Sequence, residues 1–344
     1  QDHSLLPTQS SLPGNSSLPE LIRSCALKSG CQKTSRGWKI PVLGDQPNKR
    51  RGFGFALGMK ATGYGYGFQE GSRAKIILYG GKSIESAGLY TSAADIGQGS
   101  NTVLIQIAAQ VLGIPEEIIT IFPSDTGISP DAGATAASRI TFTAGNAIIL
   151  AAEAALRSWQ DETRPAVGDA KWQAPPTTAP DPVTGACIDN ISYSFAAQAV
   201  VVEVDSETGQ VVLEKITAFQ DVGKALILQK IEGQMTGAIV QALGWALMEN
   251  FSTRDGQVLS SSLNTYLIPT ALDIPIEMDC VLVENPDPNG PFGARGVGEI
   301  PFIPLAPATL AAIQNATGAW FNFIPLTPEH LLIGLKSGSK ENAF

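Results

Sequence analysis

The chain has 344 residues, of which 44% are hydrophobic and 16% are charged. A chain of this length and composition can bury a large core, which excludes a peptide-like module and a largely disordered protein. Its formal net charge is −9, and no cluster of Lys and Arg is longer than Lys49-Arg50-Arg51. This charge pattern excludes a broad electrostatic interaction with nucleic acid.

The order of predicted elements divides the chain into three regions. Residues 1–50 form an N-terminal arm and connector with a short helix at 18–28. In residues 51–172, apolar periodicity predicts strands at 74–79, 86–95 and 118–122 and helices at 103–112 and 141–159. In residues 173–344, it predicts strands at 193–204, 210–220 and 277–283 and helices at 232–251 and 306–316.

The second and third regions repeat one order of elements. Each contains two strands, a helix, a third strand, a Gly-rich loop and a second helix, although residue identity between the two is weak. A repeated order without repeated residues indicates an architectural duplication. We therefore expect an α+β fold with two related β-β-α-β-α lobes.

A first candidate site is Asp-Ile-Gly-Gln-Gly-Ser-Asn-Thr at 95–102. It places Gly97, Gln98 and Gly99 at a predicted strand-to-helix junction, where free backbone N–H groups and the helix dipole favour an anion such as a phosphate. The alternative is structural, with Ser100 or Asn101 capping the helix and the glycines forming the turn. The short motif alone favours this alternative.

A second candidate site is Gly-Val-Gly-Glu-Ile-Pro at 296–301, which also precedes a predicted helix. We expect this segment to occupy the position in the second lobe that residues 95–99 occupy in the first. Its single carboxylate, Glu299, follows a flexible glycine string and is predicted to project into a cleft. A glutamate before a helix can instead stabilise the helix dipole.

A third candidate site is the loop at 130–141, whose small residues let backbone approach a ligand closely. Tight packing between the lobes would need the same small residues. The segment at 52–58, Gly-Phe-Gly-Phe-Ala-Leu-Gly, lacks the spacing of a dinucleotide-binding motif and is excluded as one.

Four motifs occur in one order along the chain: Asp-Ile-Gly-Gln-Gly at 95–99, Thr-Ala-Ala-Ser-Arg at 135–139, Glu-Gly-Gln at 232–234 and Gly-Val-Gly-Glu-Ile-Pro at 296–301. Together they resemble the xanthine dehydrogenase and aldehyde oxidoreductase family over residues 20–335. The resemblance is to the C-terminal half of the molybdenum-cofactor subunit.

The resemblance implies a role for each matching residue. Glu299 would be the catalytic base, taking a proton from the oxygen that attacks an electrophilic carbon. The cofactor-binding residues would be Gly97, Gln98, Gly99, Ala136, Ala137, Ser138, Arg139, Thr141, Gln234 and Gly298. The cofactor would be molybdopterin carrying molybdenum, with the cytosine dinucleotide as one form, and the protein itself would supply no metal ligand.

The resemblance also implies partners. The N-terminal half of the subunit would be needed for activity. It would be a separate chain if the gene is split, and otherwise the present sequence would be a fragment of a longer protein. The four cysteines form no Cys-x-x-Cys pair, so iron-sulfur clusters and FAD would lie on partner subunits. The substrate would be an aldehyde or a nitrogen heterocycle.

Three other functions stay open in the sequence. They are a carbon monoxide dehydrogenase-type enzyme, a non-catalytic assembly or scaffold subunit, and a general nucleotide-binding protein. No apolar stretch reaches the roughly 18 residues of a membrane span, so no membrane partner is expected. The absence of a targeting signal favours the cytoplasm, with the periplasm as the alternative.

Overall fold

The computed structural model describes residues 5–14, 16–123, 125–275 and 277–336. The helices are α1 (Leu18–Lys28), α2 (Ser100–Leu112), α3 (Ile140–Gln160), α4 (Leu228–Leu247), α5 (Phe302–Thr317) and α6 (Pro328–Lys336). Short 3-10 turns lie at Glu116–Ile118 and Pro291–Gly293. None of the described helices is long and apolar enough to span a bilayer.

The strands form two four-stranded sheets and two short hairpins. The strands are β1 (Gln32–Thr34), β2 (Gly37–Lys39), β3 (Lys49–Ala61), β4 (Gly71–Gly80), β5 (Ile84–Thr91), β6 (Ile119–Pro123), β7 (Ala166–Gln173), β8 (Tyr193–Asp205), β9 (Val211–Gly223), β10 (Thr253–Arg254), β11 (Gln257–Val258) and β12 (Glu277–Glu284). Strands β1 and β2 pair in one hairpin, and β10 and β11 pair in the other.

The two large sheets have the same topology. The first has the order β6-β5-β4-β7, and the second has the order β12-β9-β8-β3. In each sheet the two central strands are antiparallel, one edge strand is parallel to its neighbour and the other is antiparallel. The expected α+β duplication is therefore confirmed.

Each sheet packs one face against the two long helices of its own repeat. Helix α2 and the alanine-rich helix α3 form one core with β4 and β5, and α4 and α5 form the other core with β8 and β9. These cores are dense in alanine and branched aliphatic residues. The small alanine side chains let helix and strand backbones approach closely. Helix α1 packs with β8 and β9 in a third cluster.

The strand β3 lies in a different sheet from the one that its place in the chain suggests. We expected residues 51–172 to form the first repeat, but β3 pairs along its whole length with β8 of the second sheet. It fills the edge position that β7 fills in the first sheet. This pairing joins residues more than a hundred positions apart, so local periodicity cannot predict it.

The glycines of these two edge strands have a packing role. A Cβ at Gly54 would overlap the carbonyl of Ala308 in α5, and a Cβ at Gly168 would overlap the carbonyl of Ala151 in α3. Each helix therefore lies directly on the strand backbone. This contact explains the glycines at 52–58, which the sequence excluded as a dinucleotide motif.

Candidate functional site

Four strand-to-helix loops, two from each repeat, converge on one cavity of about 480 Å³. They are the β5–α2, β6–α3, β9–α4 and β12–α5 connections. Nine of the eleven predicted site residues line the cavity: Gln98, Ala136, Ala137, Ser138, Arg139, Thr141, Gln234, Gly298 and Glu299. The other two, Gly97 and Gly99, flank Gln98 without lining it.

The topology corrects the expected correspondence between the two repeats. The loop that carries Glu299 joins β12 to α5, so its counterpart is the β6–α3 loop, described over 125–139, and not the segment 95–99. The counterpart of Asp95-Ile-Gly is Asp221-Val-Gly, at the end of β9. Both aspartates accept the backbone N–H of the glycine two positions later, at 2.9 Å.

The start of α2 already holds an anion from its own chain. The Asp95 carboxylate accepts hydrogen bonds from the backbone N–H groups of Gly97 (2.9 Å), Gly99 (3.2 Å) and Asn101 (2.9 Å). Burial raises the pKa of Asp95, but these three donors and the charge of Lys230 outweigh it and lower the pKa below its usual value. The expected phosphate site at this helix end is therefore filled by Asp95, because a carboxylate satisfies the same N–H groups.

The Gln98 side chain is fixed at the edge of the cavity. Its Oε1 accepts the Ile96 backbone N–H at 2.7 Å, and its Nε2 donates to the Ala94 carbonyl at 2.9 Å and the Ser100 hydroxyl at 2.8 Å. These bonds use three of the four hydrogen-bonding positions of the amide. One lone pair of Oε1 is left to accept a ligand donor.

The loop before α3 has a constrained backbone. Ala137 and Ser138 have φ values of 51° and 55°, in the left-handed region that costs L-residues energy. Such conformations persist where the surroundings fix them, and they are concentrated at functional sites. Here the Gly63 backbone N–H donates to the Ala137 carbonyl at 3.0 Å.

The predicted cofactor residue Arg139 instead holds this loop in place. Its guanidinium is 3% exposed and forms a buried ion pair with Glu70, with 2.6 Å between Nε and Oε2. The two terminal nitrogens of the guanidinium donate to the backbone carbonyls of Ala132, Ala134 and Gly71. Its charged end is directed into the protein, so Arg139 stabilises the loop that faces the cavity and does not offer its guanidinium to a ligand.

A second buried arginine supports the loop that carries Glu299. The Arg295 guanidinium lies 3.4 Å from an Asp221 carboxylate oxygen and 3.2 Å from Asp287, and all three side chains are almost fully buried. One residue further on, the Gly296 carbonyl accepts the Ser194 hydroxyl at 2.8 Å. Sequence reasoning missed this arrangement, because its members come from β8, β9 and the β12–α5 loop.

The two cavity loops are also in direct contact. A Cβ at Gly296 would overlap the Ser138 carbonyl, and a Cβ at Gly298 would overlap the Ser138 hydroxyl. Gly298 has a φ of 39°, which an L-residue adopts only with strain. Glycine is thus required at both positions to bring the Glu299 loop against the loop at 136–139.

The cavity wall combines an acidic residue, polar side chains and a lysine. Glu299 is exposed and is the only acidic residue that lines the cavity among the described residues. Among those residues, the side chains of Ser138, Thr141 and Gln234 have no hydrogen-bond partner. Lys60, which sequence reasoning missed, lies half-buried in the wall near Glu299.

Comparison with known proteins gives matches over most of the chain. The model of the molybdopterin cofactor-binding domain matches residues 43–173 and 158–275. A probable xanthine dehydrogenase subunit of Bacillus subtilis is 31% identical over 322 residues, which cover 82% of this chain and 42% of that protein. The gamma subunit of the 6-hydroxypseudooxynicotine dehydrogenase complex of Paenarthrobacter nicotinovorans is 32% identical over 73% of this chain and 37% of that protein.

The solved structure of the aldehyde oxidoreductase from Desulfovibrio gigas is similar in fold. It superposes with a TM-score of 0.87 and 27% sequence identity, over 98% of this chain and 37% of that chain. This chain thus spans less than half the length of each of these relatives.

Proposed function

The chain belongs to the xanthine dehydrogenase and aldehyde oxidoreductase family of molybdopterin cofactor-binding proteins, and from this premise we propose that it supplies the catalytic base of a molybdenum hydroxylase. The observation that carries the proposal is the position of Glu299. It is the one carboxylate of the described residues in the cavity wall, and the loop that carries the family motif at 135–139 lines the same cavity.

The side chains around the cavity fit a pterin cofactor. The Ser138 and Thr141 hydroxyls and the Gln234 amide have no protein partner among the described residues, so they can bond the heteroatoms of a heterocycle. The lone pair left on Gln98 Oε1 can accept one further N–H. Lys230 adds a positive charge suited to a phosphate group. Gly97, Gly99 and Arg139 would act indirectly, by shaping the loops.

Glu299 would act as a general base. When bound, the molybdenum cofactor supplies the oxidising power and the oxygen that is transferred to the substrate. Glu299 would accept the proton of the attacking oxygen, a task for which an exposed carboxylate on a glycine-bracketed loop has both the access and the acceptor atoms. The carbon that is hydroxylated would be an electrophilic carbon of an aldehyde or a nitrogen heterocycle. Its C–H bond would break as the C–O bond forms, and the two electrons of that C–H bond would pass to the bound cofactor.

The partners proposed from the family would complete the enzyme. They are an iron-sulfur subunit and an FAD subunit. The cysteines of this chain support a separate iron-sulfur subunit, since all four are free thiols and burial raises the pKa of Cys25 to about 12 and that of Cys280 to about 11. Large apolar side chains at 251–274, including Phe251, Leu263 and Leu272, are exposed and offer a surface for a partner.

The variant Glu299→Gln, in the complex purified with its partners, tests the proposal. Gln keeps the size of the side chain but cannot accept the proton, so turnover of an aldehyde or of xanthine should fall by roughly 100- to 10,000-fold. Molybdenum and pterin content should equal those of the wild type. The matched control is Glu153→Gln, which neutralises an exposed carboxylate on α3 outside the cavity and should leave turnover unchanged.

Two results would count against the assignment. Unchanged turnover of Glu299→Gln would remove the catalytic role and favour a non-catalytic subunit. Loss of molybdenum from Glu299→Gln would make Glu299 a structural residue of the cofactor site.

A further inference from the structure

Lys60 lies on the face of the second sheet that the Glu299 loop covers. It is directly opposite Ser194 in the β3–β8 pairing, and opposed residues in a sheet project from the same face. The Ser194 hydroxyl donates to the Gly296 carbonyl at 2.8 Å. The strand and the loop therefore place Lys60 and Glu299 in one wall of the cavity.

The basic residues of the cavity wall differ in their acidic partners. Five basic residues line it: Lys60, Arg139, Lys224, Lys230 and Arg295. The two arginines are paired with buried carboxylates, and Lys224 lies 2.7 Å from Glu284. Lys230 interacts with the charge of Asp95. Lys60 forms no ion pair among the described residues, and the acidic residue that acts on its charge is Glu299, the proposed base.

The ammonium of Lys60 is incompletely bonded among the described residues. It donates one hydrogen bond, to the Ala61 carbonyl at 2.9 Å, so two of its three N–H donors are not used by protein groups. Burial lowers the pKa of Lys60, and the Glu299 carboxylate offsets part of that effect. A half-buried cation with open donors is stabilised by an anion that brings its own acceptor oxygens.

We propose that Lys60 binds a negatively charged group of the substrate, so that the cavity selects aromatic or heteroaromatic substrates that carry a carboxylate. The inference rests on the proposed function, because it places the carbon to be hydroxylated beside Glu299. A ring between that carbon and the carboxylate keeps the substrate anion away from Glu299 while it reaches the ammonium.

Equilibrium binding to the intact complex tests the proposal without turnover. The probes are benzoate and benzamide, which have the same ring and differ in charge. Titration calorimetry should give tighter binding of benzoate to the wild type. Lys60→Met should weaken benzoate binding by roughly tenfold to hundredfold, as for loss of a charged hydrogen bond, and leave benzamide unchanged. Lys60→Arg should retain most of the preference.

The matched control is Lys224→Met, which removes the same charge from the same cavity. Because Lys224 is already paired with Glu284 and half-exposed, its loss should change benzoate affinity by no more than about twofold. Turnover of 4-carboxybenzaldehyde relative to benzaldehyde should show the same pattern in KM. Lys60→Met should raise KM for the charged aldehyde only.

Several results would overturn the proposal. Equal affinity of the wild-type complex for benzamide and benzoate would show that the cavity does not select anions. An equal loss of affinity for benzoate and benzamide in Lys60→Met would indicate a structural role. An equal fall in kcat for both aldehydes would indicate that Lys60 acts through Glu299. Loss of molybdenum from Lys60→Met would assign Lys60 to the cofactor. Failure of the proposed function would instead appear in the wild type, as a complex without molybdenum or turnover.

Discussion

The contact between the two cavity loops can be tested by adding one methyl group, in Gly296→Ala. The new Cβ would lie 3.0 Å from the Ser138 Cβ and would overlap the Ser138 carbonyl oxygen, whereas ordinary contacts start at 3.4 Å. A backbone carbonyl cannot rotate away as a side chain can. The loop that carries Glu299 must therefore move away from the loop at 136–139.

The size of the effect follows from this displacement. Relief of the overlap needs a separation of roughly 1 Å, and a misplacement of that size in an active site can lower the rate by roughly 100-fold. Overpacking of this kind costs about 1–3 kcal/mol of unfolding free energy. Turnover and molybdenum content of the complex would be measured together with urea unfolding.

Two comparisons make the test specific. Gly237→Ala adds a methyl group on α4 where no atom lies within 4 Å apart from chain neighbours and the backbone of the same helix, so it should leave turnover unchanged. At Gly298 the overlap is with the Ser138 hydroxyl, so Ser138→Ala should partly rescue Gly298→Ala but not Gly296→Ala. The reasoning is refuted if Gly296→Ala behaves like Gly237→Ala, or if Ser138→Ala rescues both alanine variants equally.

Two further predictions concern the charged groups that hold the site loops. Asp95→Asn should lower the unfolding free energy by roughly 1–3 kcal/mol at neutral pH, since the carboxylate accepts three backbone N–H groups. Because folding lowers the pKa of Asp95, this stability is present above the unfolded-state pKa of about 3.9 and is lost as pH falls through the folded-state pKa. Urea unfolding of wild type and variant should therefore converge in acid, and a constant difference would contradict the assignment. Glu70→Gln leaves the Arg139 guanidinium buried without its counter-charge and should lower the unfolding free energy by about 3–5 kcal/mol. Asp169→Asn, in the exposed pair with Arg73, should lower it by less than about 1 kcal/mol. Equal urea midpoints for the two variants would refute this difference.

The helices show what periodicity and composition can predict. The helix at 18–28 was predicted at its observed bounds, and the helix predicted at 141–159 differs from α3 by one residue at each end. The helix predicted at 306–316 begins four residues earlier, at Phe302. Pro304 lies in its first turn, where the backbone N–H groups have no partner within the helix, so a proline there does not stop it.

The start and end of α4 were predicted four residues too late. The helix spans Leu228–Leu247, whereas 232–251 was expected. No side chain caps its start after Ile227, and its last residue is followed by Met248 rather than by glycine, so neither boundary carries a local signal.

The candidate site was predictable where it rests on local motifs. The family motifs led to nine residues that the fold brings to one cavity. The cap by Asp95 has a local signal as well, because aspartate readily accepts backbone N–H groups a few residues later in a turn.

The remainder of the site depends on long-range pairing. Lys60 reaches the cavity only because β3 pairs with β8, and Arg295 meets Asp221 only because β12 lies beside β9. The sequence of a single helix or strand does not indicate which distant strand it will pair with. One sequence therefore indicates which loops carry the chemistry but not which buried charges hold those loops.

Anomalous diffraction at the molybdenum absorption edge, from crystals of the intact complex, tests the central claim most directly. We predict one molybdenum peak at the cavity, between the loop at 136–139 and the Glu299 side chain. A molybdenum peak far from these loops, or a Glu299 carboxylate that points away from the metal, would contradict it.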